Sequence, residues 1–86
     1  PIHPNKTFYG KAIAIKIVTT KTKKKMAFLS LENKTQQTEA TLFPETYKQF
    51  AHKLYGSGPY LVSGQTETHF GIPSIIVKKL DRGLSE

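Results

Sequence analysis

Four lysines stand within five consecutive positions, Lys21, Lys23, Lys24 and Lys25, with only Thr22 among them. Like charges this close repel one another unless a counter-charge joins them. The segment is therefore either a loop held in solution by its charge or a contact for a polyanion. Phe28 follows three residues later, and its ring has two alternative uses: a platform for a stacked base, or a core side chain in a strand buried on both faces. Strand parity puts Ser30 on the face of Phe28, and Glu39 and Thr41 on the same face of the next strand. Glu39 would repel a phosphate there but could accept a hydrogen bond from a base. His69 and Phe70 sit between two later strands, either as a second contact or as an ordinary turn whose aromatic folds onto the protein's end. The chemistry on offer is binding.

Catalytic arrangements are missing from the sequence. It holds no cysteine, which excludes a disulfide framework, a thiolate nucleophile and cysteine-bearing zinc motifs. The six acidic residues form no tight pair, and His3, His52 and His69 lie too far apart for a metal motif. Ser57 and Ser63 have no histidine at a plausible spacing, and no glycine-rich phosphate loop occurs. No catalytic residue, metal or cofactor is expected, and the domain by itself is read as a binding module and not an enzyme.

Charge points the same way. Thirteen Lys and Arg against six Asp and Glu leave +7 on 86 residues. Residues 1–43 carry eight lysines against Glu32 and Glu39, a net +6, whereas residues 44–86 are near balance. Such asymmetry favours a polyanionic partner on one side of the molecule, nucleic acid before an anionic membrane. No apolar run approaches the ~18 residues of a membrane-spanning helix, and the N-terminus lacks a signal peptide's apolar core. The expectation is one cytoplasmic, soluble domain over residues 1–86, with a core from about 8 to 80 and a longer parent protein.

The elements that must position these residues are mostly strands. Phe8 to Thr22 is rich in β-branched residues, with Ile13, Ile15 and Ile17 on one face and Gly10 as a place to bulge or coil. Met26 to Glu32 alternates Ala27, Leu29 and Leu31 against Met26, Phe28 and Ser30. Thr38 to Phe43 pairs with it as a hairpin through the polar connector at Asn33. Pro44 then opens a helix over about 45–55, whose apolar stripe is Tyr47, Phe50, Ala51 and Leu54 and whose stop is Gly56 and Gly58. Tyr60 to Glu67 and Ile72 to Leu80 complete the strands, with a short loop from Thr68 to Gly71 and a polar tail from Asp81. The order β-β-β-α-β-β is that of the five-stranded OB barrel, mainly β with one helix between strands three and four.

Two blocks resemble a known family. Thr20 to Asn33, with Met26-Ala27-Phe28-Leu29 at its centre, and Glu39 to Tyr47, with Leu42-Phe43-Pro44, resemble the OB domain of the alpha subunit of bacterial DNA polymerase III. Val62-Ser63-Gly64 and Pro73 to Val77 continue the likeness, which covers most of residues 10 to 80. The basic loop departs from the family pattern in lacking its glycine, and the turn at Asn33 lacks the usual Asp and Gly. The resemblance implies a single-stranded, template-binding module of a replicative DNA-directed DNA polymerase. The rest of the alpha subunit and other replisome subunits would be its partners, and the catalytic carboxylates would lie elsewhere. Two other uses of an OB domain stay open: a protein-contact module within the polymerase, and the anticodon-binding domain of an aminoacyl-tRNA synthetase.

Overall fold

The density of β-branched residues near the N-terminus builds one long strand that serves two neighbours. In a computed structural model describing residues 5–69 and 71–83, β1 spans Asn5–Thr19. Its Asn5–Gly10 portion pairs antiparallel with β4 (Tyr60–His69), and Lys11–Thr19 pairs antiparallel with β2 (Lys25–Glu32). Gly10 sits where β1 changes partner. A Cβ there would lie 2.5 Å from the Glu32 carbonyl oxygen and 2.8 Å from the Phe8 ring, so the strands approach too closely for any side chain. β2 pairs antiparallel with β3 (Gln37–Leu42), as the hairpin reading expects. Asn33 builds the connection: its Oδ1 accepts from the Thr35 and Gln36 amides, and its Nδ2 donates to the Tyr9 carbonyl at 2.9 Å.

β5 (Ile72–Arg82) lies antiparallel to β4 and parallel to β3, which closes a barrel in the order β1-β2-β3-β5-β4. The interior is filled by Phe8, Leu29, Leu31, Leu42, Tyr60, Val62, Ile75, Val77 and Leu80, with Ala27 and Ala40 where space is tightest. Gly64 sits at the register shift between β4 and β5, where a Cβ on it would run into the Ile76 carbonyl oxygen. This is a mainly β, five-stranded OB-type barrel with one helix between β3 and β4, as the element order implied.

Several details differ from the sequence reading. A register shift between Ala12 and Ala14 turns Ile13 outward, so the three isoleucines do not share a face. Ile15 packs on the core, while Ile13 and Ile17 are 53% and 48% exposed. The bulge lets β1 curl from one partner to the next, a demand of barrel closure and not of local alternation. β1 ends at Thr19 and not Thr22, and β2 begins at Lys25, so the basic loop starts earlier and is longer than expected. The helix α1 covers only Pro44–Phe50, followed by a 3₁₀ turn at Ala51–Lys53. Pro44 and Glu45 occupy its first turn as expected, and Tyr47, Phe50 and Leu54 are partly buried against the core. β4 runs on through Thr68 and His69, so that loop is shorter, and β5 takes in Asp81 and Arg82.

That last extension matters to the barrel's end. Arg82 stacks on the Tyr55 ring at 3.6 Å and donates to the carbonyls of Lys53 and Tyr55. The fully buried Tyr60 hydroxyl accepts from the Tyr55 amide at 2.9 Å and donates to the Tyr55 and Gly56 carbonyls. Lys53 donates to Asp81 at 2.6 Å, and this bond, with the ammonium charge behind it, holds the Asp81 carboxyl below its ordinary range. The segment leaving α1 is thereby tied to β5.

Candidate nucleic-acid interface

The outer face of β1, β2 and β3 is built in rows across the strands. One row runs Lys16, Phe28, Thr41, Ile76 and Gln65, each opposite the next in register. The next runs Ala14, Ser30, Glu39, Ser74 and Glu67. Phe28 is 40% exposed, so its ring lies on this surface and not in the core. Ala27 and Leu29, its neighbours in sequence, take the core positions, which is why parity alone could place the ring.

Ser30 and Glu39 come together as expected, with the Ser30 hydroxyl donating to Glu39 Oε1 at 3.1 Å. The bond orients the carboxylate and leaves its other oxygen as an acceptor for an amino or imino group. Thr41 departs from expectation. It is only 8% exposed, because its small side chain sits in register between the larger Phe28 and Ile76. It supports the face from beneath and does not offer a contact. His69 is the last residue of β4, opposite Ile72 in the ladder, and not a loop residue. Phe70 lies outside the described residues.

The loop from Thr20 to Lys24 carries the basic charge to one end of this face. Its geometry is set by four hydrogen bonds: Lys23 amide to Thr20 carbonyl, Thr20 amide to Lys24 carbonyl, Lys24 amide to the Thr20 hydroxyl, and one between the Thr20 and Thr22 hydroxyls. Lys23 takes φ 66, the left-handed conformation in which a glycine is at ease. Lys21, Lys23, Lys24 and Lys25 are all exposed, and the one ion pair among the described residues, Lys53 with Asp81, lies elsewhere. Lys24 and Lys25 also line a cleft of about 310 Å³ with Pro44, Tyr47, Lys48 and Glu45. The basic edge thus continues onto α1.

Three side chains join the face without having been singled out from the sequence. Lys16 stands opposite Phe28, and Ile76 lies across the barrel seam from Thr41. Phe43, extended at φ −65 and ψ 164 and 48% exposed, continues the alternation of β3 one residue past its end. Two residues beyond Thr41, it has the parity of this face. Its exposure depends on α1 turning away at Pro44, which no local pattern records.

Known structures share this architecture. The chain is similar to the mitochondrial single-stranded DNA binding protein Rim1 from S. cerevisiae in two crystal forms. One gives a TM-score of 0.71 at 11% identity, covering 95% of this chain and 96% of that one. The other gives 0.70 at 12% identity, covering 94% and 96%. The likeness is one of fold. No protein-family model matches the sequence, and no curated protein matches it, so the polymerase resemblance rests on the residues quoted for it. Among the described residues no group of three or more His, Asp or Glu side chains is placed to hold a metal ion, and no helix is long and apolar enough to cross a membrane.

The face can do three things chemically. Exposed lysines at one edge attract phosphates and release their counterions. A half-exposed aromatic ring accepts a base by stacking, whatever the base. A carboxylate held by Ser30 repels phosphate from the middle of the face and accepts N–H groups there.

Proposed function

We propose that this domain binds single-stranded DNA across the outer face of β1, β2 and β3. The observation that carries the reading is the placement of Phe28: a half-exposed ring beside Lys16, on a face whose end is a loop of exposed lysines that form no ion pair among the described residues. The barrel shared with Rim1, which is named as a single-stranded DNA binding protein, supports it. Met26 to Leu29 and Leu42 to Pro44, which resemble the polymerase III alpha subunit, support the finer reading that the domain presents template strand to a replicative polymerase. On that reading the nucleotidyl transfer belongs to other domains of the parent chain.

Binding is electrostatic at long range and stacking at contact, and so largely independent of sequence. Neutralising about three or four phosphates of a single strand gives a slope of log K against log salt near −2 to −3. Fluorescence anisotropy with labelled dT and rU oligomers at two salt concentrations tests the reading. It expects salt-sensitive binding of dT at least equal to that of rU. A clear preference for an RNA loop would point to tRNA, and salt-independent or absent binding would overturn the proposal.

A further inference from the structure

From Ile13 to Thr19, β1 is paired along one edge only. β2 occupies that edge. On the other, β4 pairs as far as Gly10, and the Ala12 amide donates to the Ser57 carbonyl at 2.9 Å. Beyond Ala12 no described residue pairs with that edge. A free edge presents backbone N–H and C=O groups in the spacing that another strand satisfies. Ile13 and Ile17 are both about half exposed along it. Its beginning opens onto a groove of about 880 Å³ whose lining includes Tyr9, Lys11, Ile13, Lys34 and Pro59. Natural edge strands are commonly blunted by charges or proline. Here the only charge between Ile13 and Thr19 is Lys16, and there is no proline.

Charge selects the occupant. Residues 11–25 hold six lysines and no acid. A second copy paired on this edge would bring the same six lysines against them, and like charges on paired strands repel. We infer that the free edge of β1 receives an extended, acidic segment of a partner protein, which adds a strand beside Ile13–Thr19. Backbone hydrogen bonds would supply the pairing. Apolar side chains on one face of that segment would cover Ile17, which shares the face of Ile15, and acidic side chains on its other face would lie beside outward-turned Ile13 and meet Lys16 and the lysine loop. The pairing surface is the edge of β1 and not the face assigned to DNA, but Lys16 and the lysine loop border both, so an acidic segment and a DNA strand would compete for those charges.

The test uses the ¹⁵N-labelled 86-residue chain and short synthetic peptides alternating Glu with Val, Ser with Val and Lys with Val. Amide exchange is followed residue by residue. With the Glu-Val peptide at about ten times its Kd, exposed amides within 13–19 should exchange about tenfold more slowly, while the Lys-Val peptide leaves them unchanged. A double variant, Ile13→Glu with Ile17→Glu, should lose the effect, and Ile13→Lys with Ile17→Lys, which loses the apolar cover but gains charge attraction, should retain more of it than the Glu variant, both checked for an unchanged fold by circular dichroism. Equal protection by all three peptides would overturn the charge argument. Protection confined to Lys21–Lys25 and Phe28 would mean the peptide acts as a generic polyanion on the other face. Slow exchange of 13–19 in the free protein, with a dimer mass in sedimentation, would mean a second copy covers the edge. No protection at all would also overturn the inference.

Discussion

Replacing Phe28 by Ala separates binding from packing. The ring is 40% exposed, so on a side chain of about 200 Å² roughly 80 Å² remains to be covered by a base. At about 25 cal/mol per Å² that is ~2 kcal/mol, within the ~1–3 kcal/mol typical of one base–aromatic stack. Phe28→Ala should therefore weaken dT binding by about thirtyfold, since ~1.4 kcal/mol is a factor of ten. The salt slope should hardly move, because stacking releases no counterions. Stability should also fall, by less than the ~3–5 kcal/mol of a fully buried Phe, because part of the ring never left water and Thr41 loses its cover. Anisotropy at several salt concentrations and a thermal melt on the same variant measure all three quantities. Phe28→Trp serves as the rescue, since it keeps an aromatic face. Affinity unchanged within about threefold in a folded variant, or a Trp variant as weak as the Ala one, would refute the stacking argument.

Other expectations follow from the same geometry. Replacing Lys23, Lys24 and Lys25 together with Ala should flatten the salt slope by about 2, at ~0.7 for each phosphate no longer neutralised; an unchanged slope would make the loop merely solvated. Lys23→Gly should raise stability by up to ~1 kcal/mol, read as a higher Tm, because φ 66 strains a lysine and suits a glycine. Tyr60→Phe should cost about 1–3 kcal/mol in denaturant unfolding, since it removes the acceptor for the Tyr55 amide and the donor to two carbonyls. The Asp81 carboxyl is lowered from its ordinary 3.8, so its pairing with Lys53 stabilises the fold above that pH. That contribution fades as pH drops through the lowered value, and Asp81→Asn should flatten this part of an acid titration followed by circular dichroism.

Most of the barrel was legible in the sequence because its strands obey a two-residue period against one core. Ala27, Leu29 and Leu31 against Phe28 and Ser30 is such a case, and it located the candidate face as well as the strand. The bulge at Ile13 was not legible. Ile-Ala-Ile-Lys-Ile alternates without a flaw, and only the need of β1 to reach two partners breaks it. The helix ended early for a similar reason: its apolar stripe runs to Leu54, but the last turn tightens to 3₁₀ as the chain heads for the Arg82 and Tyr60 contacts. Thr41 shows the limit of parity, which assigns a side chain to a face but not the height of its neighbours. Arg82 looked like part of a polar tail because its partners, Tyr55 and Tyr60, are adjacent only in three dimensions.

The seam between β3 and β5 is short. Only Glu39–Thr41 and Ser74–Ile76 form it, in parallel, joining segments far apart along the chain. Pairings of this kind form late in folding, since a long loop must close before they are gained. With the fewest ladder bonds of any strand pair here, the seam is also where the barrel opens at least cost. The row from Phe28 through Thr41 to Ile76 lies directly across it. A strand stacked on Phe28 and resting on Ile76 would act as a clasp on the molecule's weakest join. Occupancy would then be felt as slower breathing of the whole barrel, a change in rate without a change in shape.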